Sequence, residues 1–378
     1  MIIVFGTGYL ASGIVHYENE LNIGFFIDND VKKIGKQFLG YDVKSPQEVV
    51  GAKYEQIIIT SEKFETEMRE QLLGLGVESN KIVNSWDLKL YSEVDVEVES
   101  KKELQIRTKE DYEQLEVDES LVQMENIISQ MVIRTPNKRN FILGNCRVCK
   151  KKVNLLIDNR YSASPLEVNF RERLVCPFCL LNNRQRKMAD LVLKEVPKDG
   201  MIYLTEQVTP MYAVLKKRFA NVIGSEFLGT DVPGGIINEK GIRHEDITRL
   251  SFENEVMDCV VSCDVLEHVA DAYKALSEIY RVLKKGGVFY ASFPMNFNAE
   301  CTVQRAKLTA NGVEYLCEPV YHGNPVSDGG SLVFYDYGFD FMDLVKNAGF
   351  EDAYFVPFYS IPDGNIGVKS LYIFVAKK

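Results

Sequence analysis

Apolar and polar positions fall in blocks along this chain, and the blocks predict an α/β protein. The clearest runs from Val256 to Pro294, where VMDCVVSC reads as a buried parallel strand that ends at Asp264. Leu276, Ile279, Tyr280 and Leu283 then recur at helical spacing. Lys284 and Lys285 suit the negative end of a helix dipole, and Gly286-Gly287 stops the helix before a second strand, VFYASF. That is one βαβ unit. Open parallel sheets bind ligands beyond the carboxyl ends of their strands, so Asp264 to His268 are expected at a site mouth.

The first residues follow a similar pattern. The strand IIVF, a Gly6-x-Gly8-x-x-Ala11 turn, a helix carrying His16 and a second strand ending at Asp28 form a dinucleotide-type fingerprint. Its glycines let backbone approach a phosphate, and an acid about 20 positions on can meet ribose hydroxyls. The tract YDVKSPQEV, the strand QIIIT, the helix FETEMREQLLGLG and the closing KIV complete a small α/β unit over residues 1–86. This segment resembles the small Rossmann-like domain at the N-terminus of bacterial sugar acyltransferases. The resemblance implies a nucleotide or nucleotide-sugar ligand, while the residues alone equally allow a domain that only packs or forms a homodimer.

Over residues 87–139 the periodicity breaks down. The acidic alternation with Val94, Val96 and Val98 reads as hinge or solvated edge, and the mixed-charge run that follows reads as a solvated face. SLVQMENIISQMV predicts a helix capped by Ser120. Residues 140–199 then carry Cys146-x-x-Cys149, twenty-six residues, and Cys176-Pro-Phe-Cys179. Two such pairs can give zinc a closed tetrahedral shell of thiolates, which has no open position for water and is therefore structural. A redox role is disfavoured because neither pair opens a helix after a buried strand. The tract between the pairs offers strands for a zinc ribbon. In the amphipathic run after Cys179, Arg184, Arg186 and Lys187 face solvent or an interdomain partner in preference to phosphate.

Composition narrows the partners. The chain has 378 residues, 46% of them hydrophobic and 26% charged, as in ordinary globular proteins. Its 44 basic against 54 acidic residues give a formal charge of -10, which argues against a broad nucleic-acid or anionic-membrane surface. The N-terminus lacks the features of a secretory signal and no apolar run spans a bilayer, so a cytoplasmic location without a membrane span is expected. Eight cysteines are too few for a disulfide framework in so long a chain.

The phrase D-V-L-E-H-V followed by E-I-Y-R-V-L-K-K-G-G resembles the strand-four to strand-five region of class I S-adenosylmethionine-dependent methyltransferases of the type 11 kind. The resemblance covers residues 200–378. With the cysteine pairs, it is similar to a subset of bacterial methyltransferases bearing a zinc-knuckle leader. It implies a Rossmann-like C-terminal domain with an antiparallel finish, DAYFVPF and SLYIFVAKK. It further implies that Glu226 takes the cofactor's ribose hydroxyls and that Asp246 meets the adenine amino group, with Ile247 as an apolar wall. Asp264, Thr205 and Glu206 are expected on the cofactor as well. Thr205 to Val208 stand where the family carries a glycine-rich loop, a departure that leaves open how the cofactor is held at that edge. The tract from Asn296 to Phe350 reads as an insertion. In it His322, on a turn made by Gly323-Asn324-Pro325, is a candidate general base for a hydroxyl acceptor, or a pin for the loop; His268 shapes the pocket. The implied reaction is methyl transfer to a small-molecule or glycan-derived acceptor. The alternatives are an RNA methyltransferase gripping through its zinc ribbon and a cofactor-free scaffold.

Overall fold

The computed structural model describes residues 1–8, 11, 14–15, 21–61, 64–88, 104–135, 139–324, 327–368 and 371–378. His16, the Val94-Val96-Val98 alternation and Pro325 lie outside them.

The N-terminal sheet is built from β1 (Ile2–Phe5), β2 (Ile23–Ile27), β3 (Gln37–Phe38), β4 (Tyr41–Lys44), β5 (Gln56–Ile59) and β6 (Ile82–Asn84), in the order β3-β4-β2-β1-β5-β6. All pairings are parallel except β3 with β4. Both faces of β1 are covered. Ile3 and Phe5 pack on one side with Leu72 of α1 (Glu65–Gly74), while Ile2 and Val4 pack on the other with Ile14. This two-sided burial is why these strands are unbroken apolar runs. Gly6 follows β1 at φ +102°, and a Cβ there would stand 2.7 Å from Thr60 Oγ1.

Beyond residue 104, α2 (Lys109–Glu113) and α3 (Glu119–Arg134) follow, the latter capped by Asp118, which accepts from the Ser120 N–H. The cap is therefore two residues earlier than the sequence suggested, because the helix already begins at Glu119 and Ser120 lies inside its first turn. The charged run is also more than a solvated face. Ile106 is buried and exchanges both backbone hydrogen bonds with Phe355, at 2.8 Å each.

The cysteine segment opens with the hairpin β7 (Asn140–Cys146) and β8 (Lys151–Ile157). One ribbon strand thus precedes the first cysteine pair, and the stretch after β8 up to Arg173 is irregular. The segment closes on α4 (Asn183–Glu195), where Asn182 and Gln185 form a capping box.

The C-terminal sheet comprises β9 (Met201–Leu204), β10 (Asn221–Gly224), β11 (Met257–Cys263) and β12 (Leu283–Ser292), joined by α5 (Pro210–Arg218) and α6 (Ala272–Val282). After β12 come β13 (Val303–Gln304), the hairpin β14 (Ala306–Thr309) and β15 (Gly312–Tyr315), the hairpin β16 (Tyr321–Asn324) and β17 (Ser327–Leu332), and β18 (Tyr335–Asp336). The chain ends with α7 (Phe341–Asn347), β19 (Asp352–Pro357) and β20 (Tyr372–Lys377). The order is β10-β9-β11-β12-β20-β19, parallel through β12 and antiparallel at β20 and β19.

Two expectations change here. Helix α6 stops at Val282, and the glycine pair lies inside β12, where Gly286 at φ +77° sits at a register shift against β11. Between β10 and β11 the chain makes a single parallel bridge, Glu226 with His244. His322 is paired in β16 with Ser331, so it stands on a strand and not on the turn. Alternation along β16 and β17 is too polar to announce a strand.

One face of the C-terminal sheet shares a core with the cysteine segment. Cys146, Val153, Leu174 and Cys176 belong to the same buried cluster as Met188, Ile202, Val261 and Val375. The opposite face packs under α6 and α7, with Leu276, Ile279, Phe341 and Phe374.

Candidate functional site

The carboxyl ends of β11 and β12 meet the cysteine segment, and a buried charge network joins them. Asp264 turns out of β11 in the left-handed region, at φ +54°. Its carboxylate receives a two-pronged contact from Arg171 and a 2.6 Å ion pair from Arg184. Arg184 also holds Glu172 at 2.8 Å and donates to Ser292 Oγ at 2.9 Å. Burial would raise the Asp264 pKa, but the two guanidinium charges bring it down to about 2. Arg186 donates instead to the carbonyls of Asp363 and Gly364. The arginines after the second cysteine pair are thus absorbed by internal partners.

At the end of β9, the loop that replaces the glycines is held from across the sheet. Oε1 of Glu226 accepts the N–H groups of Gln207 and Val208, at 2.7 and 3.0 Å. Thr205 gives its hydroxyl to Ser262 at 3.1 Å, which commits it to the sheet. Glu206 is buried, and no donor among the described residues reaches its Oε1. Burial pushes its pKa up to about 7, although the Arg184 charge and the Thr209 hydroxyl pull the other way. Asp246 sits in a turn, its Oδ1 accepting from the N–H and hydroxyl of Thr248 at 2.9 and 2.7 Å. Ile247 is buried with Tyr203 and Leu250 in the core and offers little surface to a ligand. His244 accepts the Leu228 N–H at Nδ1.

His268, expected at the site mouth, and His322 of the insertion come together. The rings of His268 and His322 lie edge to face at 5.0 Å. Between them stands Glu267, to which the sequence pattern gives no role. Its carboxylate is fully buried, and neither oxygen has a hydrogen-bond partner among the described residues. Burial and the nearby Asp264 charge push its pKa up to about 8. Beside the end of β12 a cavity of about 350 Å³ is lined by Arg171, Ser292, Asn296, Phe297, Tyr337 and Phe374, among others.

The four cysteine sulfurs form one cluster, with Cys146 Sγ 3.7 Å from Cys179 Sγ and Cys149 Sγ 3.8 Å from Cys176 Sγ. Those separations are far too long for a disulfide, at about 2.05 Å. They equal the edge of a tetrahedron, about 3.8 Å, around an ion with metal–sulfur bonds of about 2.3 Å. In the N-terminal sheet, Asp28 accepts from the Thr7 N–H and hydroxyl and the Asp30 N–H and pairs with Lys33 at 3.3 Å. Its oxygens are already committed beside Gly6 and Gly8.

Residues 207–291 match a family model described as a methyltransferase domain. The C-terminal part carries a methyltransferase domain. Residues 1–83 match the model described as C2185-like, N-terminal. A probable S-adenosylmethionine-dependent methyltransferase of Mycolicibacterium smegmatis is 42% identical over 53 residues, 14% of this chain and 21% of that protein. The chain thus spans about a fifth of that relative's length. Similar solved structures include an S-adenosylmethionine-dependent methyltransferase of Mesorhizobium loti, 14% identical over 50% of this chain and 97% of that one, with a TM-score of 0.32. The glycopeptide N-methyltransferase MtfA with S-adenosyl-L-homocysteine is 15% identical over 52% and 88%, with a TM-score of 0.33. A didemethyltoxoflavin N1-methyltransferase of Burkholderia thailandensis is 14% identical over 51% and 76%, with a TM-score of 0.30. Among the described residues no helix is long and apolar enough to cross a membrane.

Proposed function

We propose that the chain transfers the methyl group of S-adenosylmethionine to an oxygen or nitrogen of a small-molecule or glycan-derived acceptor. The observation that carries this reading is the match of residues 207–291 to a methyltransferase domain, falling on a row of strand-end carboxylates. The buried, unpartnered Glu206 oxygen supports the fit of the cofactor, because a cationic ligand would supply the partner that the protein does not. When bound, the cofactor supplies an activated methyl group on a sulfonium. Glu226 holds the replaced loop through one oxygen and offers the other to ribose, and Asp246 reaches the adenine side. The cavity beside β12 takes the acceptor, with aromatic walls that exclude water and align it for in-line attack. A hydroxyl acceptor loses its proton beside the Glu267, His268 and His322 cluster.

The cysteine cluster holds one structural zinc ion, by the separations given above. A nucleic-acid reading is less well supported, since Arg171, Arg184 and Arg186 are spent on internal partners. For the N-terminal unit, the committed oxygens of Asp28 favour packing or dimer formation over a nucleotide. Calorimetric titration with S-adenosylhomocysteine tests the cofactor and separates an enzyme from a scaffold. A methyl-donor assay against extracts fractionated into glycans, RNA and protein identifies the acceptor. An absence of heat with S-adenosylhomocysteine refutes the reading.

A further inference from the structure

Glu267 poses a chemical problem that the methyltransferase reading does not solve. A buried carboxylate needs a hydrogen-bond donor, a proton or a cation. Its Oε1 lies 3.7 Å from His268 Nε2 and 3.8 Å from His322 Nδ1, beyond hydrogen-bonding distance in both cases. The arginines that would be its natural partners are turned to Asp264 and Glu172. Three donor atoms, one carboxylate oxygen and two imidazole nitrogens, lie within 4.8 Å of one another.

We propose that Glu267, His268 and His322 bind a divalent first-row transition-metal ion, on the segment that Tyr337 of the cavity wall holds through the Leu266 carbonyl. Two imidazoles and a carboxylate are a donor set that suits Mn²⁺ through Zn²⁺ and leaves further positions open. Metal–donor bonds of about 2.1 Å place neighbouring donors about 3.0 to 3.4 Å apart, so the two carboxylate–imidazole separations of 3.7 and 3.8 Å close by less than about 1 Å on binding, and the two imidazole nitrogens, within 4.8 Å of each other, swing in with them. The supporting contacts are of the kind that metal histidines use. Nδ1 of His268 meets the carbonyl of Leu332 at 2.8 Å, which fixes the proton on Nδ1 and aims the Nε2 lone pair at Glu267. The one-turn segment Leu266–His268 is pinned by the insertion. Phe334 N–H donates to the Glu267 carbonyl at 2.7 Å, Tyr337 hydroxyl to the Leu266 carbonyl at 2.8 Å, and Tyr335 hydroxyl to the Ala270 carbonyl at 2.7 Å. Strand β16 then delivers His322 from the other side.

This proposal rests on the methyltransferase reading only for what the ion does. It names the acceptor class as a hydroxyl compound whose oxygen enters an open position on the ion, where its proton is lost more readily. That proton passes to solvent, the C–S bond of the donor breaks and the new O–C bond forms. S-adenosylhomocysteine is left neutral at sulfur.

The test uses the purified full chain and Mn²⁺ alone, with the paramagnetic resonance signal of free Mn²⁺ as the readout. Hard Mn²⁺ does not favour a thiolate shell, so the cysteine cluster does not compete. A single saturable site per chain is expected, weakened at least tenfold in Glu267→Gln and in His322→Ala. No saturable binding to the parent, or a loss smaller than tenfold in either folded variant, overturns the site. If Glu267→Gln fails to fold by circular dichroism, His322→Ala decides alone, since that side chain is 41% exposed on a hairpin. S-adenosylhomocysteine titrated into the same samples keeps the two ideas apart. Donor binding without Mn²⁺ binding removes only the metal site, and Mn²⁺ binding without donor binding removes only the methyltransferase reading.

Discussion

Replacing Asp264 with asparagine is a demanding perturbation of the seam between the cysteine segment and the methyltransferase domain. The substitution keeps the size of the side chain and removes its charge. It leaves two guanidinium groups, Arg171 and Arg184, whose side chains are 19% and 7% exposed, to share the single remaining carboxylate of Glu172. Removing one partner of a buried ion pair costs about 3 to 5 kcal/mol, since the remaining charge stays desolvated. Proton linkage gives a compatible figure. A carboxyl with a folded pKa of about 2, against about 3.9 unfolded, contributes roughly 3 kcal/mol at neutral pH. Because the folded pKa is depressed, that contribution is full above about pH 4 and fades as pH falls toward 2. A loss of about 3 kcal/mol lowers Tm by roughly 6 to 12 °C in a unit of this size. Thermal unfolding at pH 7, followed by circular dichroism, should show that drop, and the gap from the parent should narrow between pH 4 and pH 3. A Tm within about 2 °C of the parent at pH 7 would mean that the network contributes nothing.

Metal analysis of protein purified without chelator should find one zinc per chain, absent from Cys176→Ser. Because Cys146 and Cys176 sit in the core shared with β9 and β11, chelation should lower the melting of the whole C-terminal body. Glu226→Ala and Asp246→Ala should each weaken S-adenosylhomocysteine binding by about 1 to 3 kcal/mol, read by calorimetry; unchanged affinity in both moves the cofactor elsewhere. With a Glu206 pKa of about 7, only its ionised form attracts a cation, so S-adenosylmethionine affinity should rise by up to about tenfold from pH 6 to pH 8. Glu206→Gln should flatten that profile, and a slope that survives the substitution assigns it to another group.

Much of this was legible in local pattern. VMDCVVSC is a strand because both its faces are covered, and such a run reads from sequence without any knowledge of its neighbours. The cysteine pairs were legible because ligand spacing is itself a local quantity. The charge network was not, since Arg171 and Asp264 are 93 residues apart and neither lies in a periodic run that points at the other. Glu267 was overlooked for a different reason. It directly precedes His268, whose chemistry is more obvious, and only burial shows that its carboxylate has no partner. His322 was assigned to a turn by its glycine, asparagine and proline neighbours, yet cross-strand pairing with Ser331 decides its conformation. Ile106 has only Leu104 as an apolar neighbour in a charged run, too short an alternation to announce a strand.

The docking of Ile106 on Phe355 bears on solubility. Strand β19 is the last in its sheet, and its outer side would otherwise present unpaired backbone N–H and C=O groups along an apolar stretch, FVP. Exposed edges of that kind template pairing with another chain. Ile106 supplies a one-residue stopper, with Arg107 clamped to Asp352 at 2.6 Å and its guanidinium over the Tyr354 ring. A chain trimmed to begin at residue 140 would keep every cysteine and every strand-end carboxylate while uncovering this border. Such a fragment is expected to self-associate through β19, and restoring residues 104–139 is expected to return it to solution.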